Sequence, residues 1–139
     1  MLLLDTNVVS ELRKAPSGKA NARVITWAKR QDESTLFVSA ITLMELELGA
    51  LQMERRDPRQ GAVLRRWLNE YVEPAFLNRI LPVDDEVAKR CASLHVPNPC
   101  SYRDSLIGAT ALVHGMTIAT RNTRDFAKMG PALLNPWGS

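Results

Sequence analysis

The chain has 139 residues, a mass of 15.5 kDa and 45% hydrophobic residues, which is typical of a single domain with an ordinary packed core, here residues 1–139. We expect a cytoplasmic protein without a membrane association. No run approaches the ~18 apolar residues of a membrane-spanning helix, and the amino terminus lacks the basic start and cleavage site of a signal peptide. The net charge of +3 is compatible with a nucleic-acid partner but does not establish one.

Short apolar runs, partly β-branched, predict the strands of this domain. In chain order they are Leu2–Leu4, Leu36–Val38, Ile80–Val83, Thr117–Thr120 and a shorter Leu133–Leu134. Helical periodicity and capping residues fill the intervals. The predicted helices cover Thr6–Arg13, Asn21–Gln31, about Ile41–Glu54, a segment from Asp57–Pro58 to Val72, one that starts at Asp84 or Asp85, and one from Ser101 to His114–Gly115.

Strands that alternate with helices, without hairpin signals, predict right-handed crossovers and a parallel sheet with helices on both faces. The fold class is therefore α/β. Ligands of such sheets bind beyond the carboxyl ends of the strands. The two cysteines, Cys91 and Cys100, lack the spacing of a zinc or redox motif, and we expect both to be reduced.

Acidic residues recur where a predicted strand ends and the next helix begins, and each has an ordinary structural explanation. They are Asp5, Glu45, Asp104 and Asp125. Asp5 is placed to cap a helix, and Asp104 and Asp125 are placed to interact with a helix dipole in a first turn. Either Ser39 or Thr42 is expected to cap the helix of Glu45, and if Thr42 does so, Glu45 is its capping-box partner.

Taken together, the acidic residues favour a metal site, because a parallel fold brings these helix starts to one edge of the sheet. Two unpaired carboxylates about 4 Å apart repel by roughly 4 kcal/mol at an effective dielectric near 20. A hard divalent cation such as Mg²⁺ or Mn²⁺ compensates that charge and prefers oxygen ligands. No histidine is required: His114 is expected at a helix end, and His95 in a loop without an identifiable partner.

At this point the chain resembles a PIN-domain ribonuclease, and within that family the toxin of VapBC-type toxin–antitoxin pairs. The resemblance rests on five segments in order. They are LLLDTNVVSELRK, SAITLMELELGA, RDSLIGATA, IATRNTRDF and a FitB-like ending, LLNPW.

The resemblance implies a PIN-like three-layer sandwich with a parallel sheet of about five strands, and a Mg²⁺- or Mn²⁺-dependent endoribonuclease. Asp5, Glu45 and Asp104 would form the acidic core, with Asp125 as a fourth member. Residues that support these ligands would be Thr6 or Asn7, and Thr120 or Asn122. Many relatives carry an aspartate at the position of Asn122, so a second metal position here depends on Asp125.

The same resemblance implies an RNA substrate and a protein partner. Arg121 and Arg124 flank Asp125 and are candidates for binding phosphate, with a solvated surface as the alternative. Arg103 places a further cation beside Asp104. Single-stranded RNA is expected, because an A-form duplex hides its base edges.

The implied partner is a cognate antitoxin that wraps the toxin. The toxin would contact DNA only indirectly, through that antitoxin. A homodimer is also expected. Trp27, Trp67 and the apolar segment Ile41–Leu51 are candidates for these interfaces or for ordinary core. A basic cluster is the other candidate surface, either solvated or in contact with an acidic partner or RNA. Its members are Arg55, Arg56, Arg59, Arg65 and Arg66.

Two other functions were compatible with these residues. Asp5–Val9 resembles the DxDx(T/V) start of haloacid-dehalogenase phosphatases, but Asn7 stands where the second aspartate would transfer a proton. A non-catalytic PIN-like subunit that regulates DNA with its antitoxin is the non-enzymatic alternative.

Overall fold

A five-stranded parallel sheet organises the protein. In the computed structural model, which describes residues 1–138, the strand order is β3-β2-β1-β4-β5 and every neighbouring pair is parallel. The strands are β1 (Leu2–Leu4), β2 (Leu36–Ser39), β3 (Ile80–Leu81), β4 (Thr117–Ala119) and β5 (Leu133–Leu134). The predicted fold class and strand number are confirmed.

Helices occupy the intervals between the strands. They are α1 (Thr6–Leu12), α2 (Ala22–Lys29), α3 (Ala40–Arg56), α4 (Pro58–Trp67), α5 (Glu73–Ala75), α6 (Asp85–Leu94), α7 (Tyr102–His114) and α8 (Thr123–Ala127). A π-helical turn at Leu68–Val72 continues α4, so the predicted helix through Val72 changes its hydrogen-bonding pattern near its end. Short 3₁₀ turns lie at Ala15–Ser17 and Glu33–Thr35.

Alternate residues of the strands enter two different hydrophobic clusters, which makes the fold three-layered. Leu4 of β1 packs with Val8 of α1 and Ala50 of α3. The preceding residue, Leu3, packs with Ile107 of α7 and Phe126 of α8. Because successive side chains of a strand point to opposite faces, each face of the sheet is covered by its own helices.

Helices α3 and α4 pack together as an antiparallel pair held by charge. Arg65 of α4 donates two hydrogen bonds of 2.6 Å to Glu47 of α3 and a 3.0 Å bond to Glu54. Arg65 is therefore neutralised within the chain, which removes it from the basic cluster considered as an RNA-binding surface.

Other predictions at this level can also be checked. Cys91 and Cys100 are both unpaired, as expected. Trp27 and Trp67 pack against the cluster around Leu4, which accounts for both as partly buried core. No helix in the described residues is long and apolar enough to cross a membrane.

Candidate active site

The sheet positions the candidate site at the carboxyl ends of its central strands. Asp5 follows β1 directly, and Thr120 follows β4. Glu45 lies in α3, which starts where β2 ends. Asp104 lies in the first turn of α7 and Asp125 in that of α8.

Asp5 is the most buried of these carboxylates, with 5% of its surface exposed. Its Oδ1 accepts a 2.8 Å hydrogen bond from the backbone N–H of Thr6, and its Oδ2 accepts bonds from Thr120 Oγ1 (2.8 Å) and Asn7 Nδ2 (3.2 Å). An N-cap side chain normally binds the N–H group two or three residues on. Asp5 occupies the N-cap position but bonds the adjacent N–H, so capping does not account for its whole environment.

Burial raises the pKa of Asp5 most. The hydrogen bonds from Thr120 and from the Thr6 N–H group lower it, and the charges of Glu45 and Asp125 raise it further. A carboxylate held by several donors normally titrates below its usual value. The opposite direction shows that the desolvation of the buried Asp5 carboxyl outweighs its hydrogen-bond donors, with the charges of Glu45 and Asp125 adding to the effect on its pKa.

Glu45 is connected to Asp5 through one residue, Thr6. The Thr6 hydroxyl donates a 2.8 Å hydrogen bond to Glu45 Oε1, while its backbone N–H binds Asp5. Ser39 caps α3 by accepting from the N–H of Ile41 at 3.0 Å. The capping-box explanation of Glu45 is therefore wrong.

Asp104 is half-buried and carries no capping role. Ser101 caps α7 by accepting from the backbone N–H of Asp104 at 3.3 Å. Desolvation by burial raises the pKa of the Asp104 carboxyl most, followed by the charges of Asp5, Asp125 and Glu45. Asp104 is thus near enough to all three to be affected by their charge.

Asp125 lies at the rim, where it is exposed to solvent. It influences the pKa of both Asp5 and Asp104 through its charge. It also lines a cavity of about 330 Å³ together with Lys128 of the segment after α8. Its exposure distinguishes Asp125 from the buried Asp5.

The polar residues expected to support the ligands form a small network around Asp5. Asn7 donates to Asp5 and accepts from the backbone N–H of Arg121 at 3.3 Å. Thr120 Oγ1 donates to Asp5 and accepts a 2.9 Å bond from the backbone N–H of Asn122. Asn122 thus contributes its backbone to this network, and Thr120 its side chain.

Three arginine side chains near the site differ in their contacts. Arg103 Nη1 lies 3.7 Å from Glu45 Oε2, and its side chain is 53% exposed. The guanidinium of Arg121 lies over the ring of Trp137, 5.3 Å from its centroid. Arg124 is exposed on α8.

Two residues contribute contacts that the sequence patterns did not predict. Thr42 is fully buried, and its Oγ1 lies 3.2 Å from Thr6 Oγ1. Its spacing three residues before Glu45 is the signal that both share a helix face. His95, expected to lack a partner, instead lies 2.8 Å from Ser105 Oγ through Nε2.

The donors of this site fit a hard divalent cation in chemistry, because they are carboxylate and hydroxyl oxygens. Burial raises the pKa values of Asp5 and Asp104, and the charges of their acidic neighbours raise them further. Within residues 1–138, no three acidic, histidine or cysteine side chains are grouped tightly enough to hold an ion as they stand. Mg²⁺ usually takes one or two protein carboxylates and keeps several water ligands, so it does not need a closed cage of protein side chains.

Comparison with known proteins decides the family. The sequence matches the PIN domain over residues 2–130. The chain belongs to the PIN-domain family. The predicted resemblance is confirmed.

This PIN domain also has relatives that match it over nearly their whole length. It is 37% identical to VapC ribonuclease Y4jK of Sinorhizobium fredii, covering 99% of this chain and 98% of the relative. It is likewise 37% identical to Toxin FitB of Neisseria gonorrhoeae, covering 99% of both chains. The chain is thus a PIN protein of the VapC and FitB type.

Solved structures give the same result for the fold. A crystal structure of FitAcB from Neisseria gonorrhoeae contains a chain with a TM-score of 0.88 and 35% identity, covering 99% of each chain. A structure of FitAB bound to an IR36 DNA fragment has a TM-score of 0.89 and 34% identity, covering all of this chain and 97% of the other. The three-layer PIN architecture is therefore confirmed.

Proposed function

We propose that this PIN domain is a Mg²⁺- or Mn²⁺-dependent endoribonuclease and the toxin of a VapBC-type toxin–antitoxin pair. The observation that carries the proposal is the linkage of Asp5 and Glu45 through Thr6, beside Asp104, whose pKa is raised first by burial and then by the charges of its acidic neighbours. The names of the relatives, a VapC ribonuclease and a FitB toxin, support the same activity.

Asp5, Glu45 and Asp104 would hold the cation, with Asp125 as a fourth ligand at the rim. The cation would lower the pKa of bound water and neutralise charge on an RNA phosphodiester. Asp125 is the less constrained member, because it is exposed.

The surrounding residues orient these ligands. Thr120 and Asn7 hold Oδ2 of Asp5, and Thr6 holds Oε1 of Glu45, so both carboxylates keep a defined direction. Hydrogen-bonded partners of metal ligands typically change metal affinity about 10–100-fold when they are removed. We assign Thr6, Asn7 and Thr120 this positioning role; Asn122 acts through its N–H group, which binds Thr120.

Arginines at the rim supply positive charge for the substrate. Arg121 and Arg124 flank Asp125 and would contact phosphates of single-stranded RNA. Arg103 shields Glu45 at 3.7 Å and, being exposed, can exchange this contact for a substrate phosphate.

A cognate antitoxin is the proposed protein partner. The relative FitB is named a toxin, and the structural neighbour FitAB is bound to a DNA fragment. We propose that this chain, as a homodimer in the cytoplasm, binds its antitoxin and reaches DNA only through it.

The principal test uses purified protein freed from its antitoxin, incubated with total RNA. We expect cleavage with Mg²⁺, none with chelator, and none for Asp5→Ala. Glu70→Ala, an exposed acidic residue on the π-helical turn, is the matched control and should cleave normally. Cleavage that survives both chelation and the Asp5→Ala substitution would refute the metal-dependent mechanism.

The same assay separates the alternatives. If the protein cleaves no RNA but still forms a DNA-binding complex with its antitoxin, the non-catalytic subunit becomes the better account. Hydrolysis of a small phosphate ester without RNA cleavage would favour the phosphatase. The PIN fold does not support a phosphatase. The Asn7 amide, which stands where the second aspartate of the phosphatase motif would be, donates to Asp5 and accepts from the Arg121 N–H group.

A further inference from the structure

An exposed aromatic ring starts the helix that carries Asp104. Tyr102 is the first residue of α7, two positions before Asp104, and 75% of its surface is exposed. One face of its ring stacks on the imidazole of His95, with ring centroids 4.7 Å apart and an angle of 29° between the planes. Because the residue remains so exposed, the opposite face of the ring is open to solvent.

The imidazole behind Tyr102 is held in place from both nitrogens. His95 Nδ1 accepts a 3.4 Å hydrogen bond from the backbone N–H of Cys100, so the proton lies on Nε2, which donates to Ser105 Oγ at 2.8 Å. The buried Ser105 hydroxyl in turn donates to the carbonyl of Tyr102 at 3.1 Å. This chain of hydrogen bonds ties both rings to the start of α7.

A cavity adjoins the same segment. Its volume is about 330 Å³, within the roughly 300–1,000 Å³ range of small-molecule pockets. The segment that follows His95 forms one wall, and Asp125, Lys128 and Met129 form the other. Asp125 therefore belongs both to this cavity and to the acidic site, and Lys128 adds a positive charge.

We propose that Tyr102, backed by His95, is a stacking platform for one unpaired base of the RNA substrate. The inference rests on the proposed nuclease function and names how the site selects its substrate. Base stacking on an aromatic ring tolerates any base, whereas a base inside a duplex is already stacked. Tyr102 would thus favour single strands and hold the adjoining phosphodiester beside Asp104, with Arg103 and Lys128 available to phosphates.

The test measures binding separately from cleavage. Binding is measured with Mg²⁺ on the Asp104→Asn background, which prevents cleavage and removes one negative charge. The probes are a labelled single-stranded oligoribonucleotide of mixed sequence, its duplex, and a ribose–phosphate chain of equal length without bases. Fluorescence anisotropy gives the affinity of each.

We expect Tyr102→Ala to weaken binding of the single strand about 5- to 150-fold, the range for losing one stacked base. It should leave binding of the duplex and of the base-free chain unchanged. Tyr102→Phe, which keeps the ring, should bind the single strand normally. The control is Tyr71→Ala: Tyr71 is the other tyrosine, is 64% exposed and lies on the π-helical turn. It should have no effect.

Equal binding of the single strand by proteins with Tyr102 and with Tyr102→Ala would overturn the platform, as would equal weakening of binding to the base-free chain. Loss of antitoxin binding alone would likewise overturn it, because the ring would then be a partner contact. Unchanged thermal unfolding of Tyr102→Ala establishes that the fold is intact. If RNA cleavage requires Asp5 but RNA binding does not depend on Tyr102, the stacking proposal is refuted and the nuclease proposal is supported. If RNA binding depends on Tyr102 but no RNA is cleaved, the nuclease proposal is refuted and the stacking proposal is supported.

Discussion

At the scale of single residues, Asp5 and Asp104 both have a pKa above that of an ordinary aspartate. Burial is the largest cause of the raised pKa of both carboxyls, and acidic neighbours add to it. Asp5 accepts two hydrogen bonds, from Thr120 and the Thr6 N–H group, that oppose this shift, whereas the charges near Asp104 all act in the same direction as its burial. Asp104 is therefore the residue at which charge repulsion can be tested with least disturbance.

We predict that Asp104→Asn abolishes RNA cleavage while stabilising the metal-free protein. The amide keeps the shape of the side chain but removes one of several like charges. Because Asp104 is only half-buried, we expect a gain of no more than about 1 kcal/mol, or roughly 3 °C in melting temperature at this chain length. Thermal unfolding in chelator measures this, with Glu70→Gln as the surface control. A lower melting temperature would contradict the repulsion argument.

A pH dependence follows from the same two residues. Both carboxyls must be ionised to hold a cation, and both have a pKa above the ordinary 3.8. As the pH is lowered, Mg²⁺ affinity should therefore begin to fall at a higher pH than it would for a site made of aspartates with the ordinary pKa. Without metal the sign reverses: the folded state binds protons more readily than the unfolded state, so these residues contribute less stability as pH rises through the raised pKa. Calorimetric Mg²⁺ titrations and chelator melts across pH test both directions.

At the scale of elements, Thr6 connects the start of α1 to α3. Its hydroxyl reaches Glu45, 39 positions away in sequence, and its N–H group binds Asp5.

Neighbouring helices α3 and α4 are joined by a different contact, the close approach of Gly61 to Glu54. A Cβ at Gly61 would lie 2.3 Å from the Cα of Glu54.

We predict that Thr6→Val lowers Mg²⁺ affinity about 10- to 100-fold, because Glu45 loses the donor that orients it. Valine has nearly the same shape, so the melting temperature without metal should change little. Thr6→Ser keeps the hydroxyl and is the matched control. The affinities come from calorimetric titration, and equal values for valine and serine would refute the positioning role.

Gly61→Ala should destabilise the protein by about 1–3 kcal/mol, because the added methyl group forces α3 and α4 apart. Gly49, in the middle of α3, has no atom within 4 Å of an added Cβ. Gly49→Ala should therefore stabilise by up to about 1 kcal/mol through helix propensity alone. Urea unfolding compares the two; the same sign for both would show that the contact with Glu54 is unimportant.

At the scale of the whole molecule, the acidic site joins parts of the chain that are distant in sequence. Its carboxylates come from the residue after β1 and from helices α3, α7 and α8. Asp5 and Thr120, 115 positions apart, are joined by a 2.8 Å hydrogen bond. A cation bound by these residues would therefore hold most of the chain in its folded arrangement.

We predict that Mg²⁺ raises the stability of the wild-type protein by about 2.7 kcal/mol at a concentration 100 times its dissociation constant. Asp5→Ala and Asp104→Asn should show no such gain, whereas Glu70→Ala should behave as wild type. Thermal unfolding at increasing Mg²⁺ measures the effect. An equal gain in all four proteins would indicate nonspecific ion binding and would contradict the site.

Much of the fold was predictable because its signals are local. Apolar runs and capping residues placed the strands and most helices within a few residues, as with Asp57 and Pro58 at the start of α4. The helix α8 was not predicted as an element, although Asp125 was expected in a first turn; with five residues it is too short to show a helical period. The choice of Ser39 over Thr42 as the cap of α3 also required the structure, because serine and threonine are both common N-cap residues.

The sequence by itself determined the alternation of strands and helices, the acidic positions and the PIN family, because these depend on local order along the chain. Only the tertiary structure decided how distant side chains meet. It paired Thr6 with Glu45, neutralised Arg65, and stacked Tyr102 on a His95 that the sequence had left without a partner. Those contacts depend on the packing of separate elements in three dimensions, which no local pattern of residue types records.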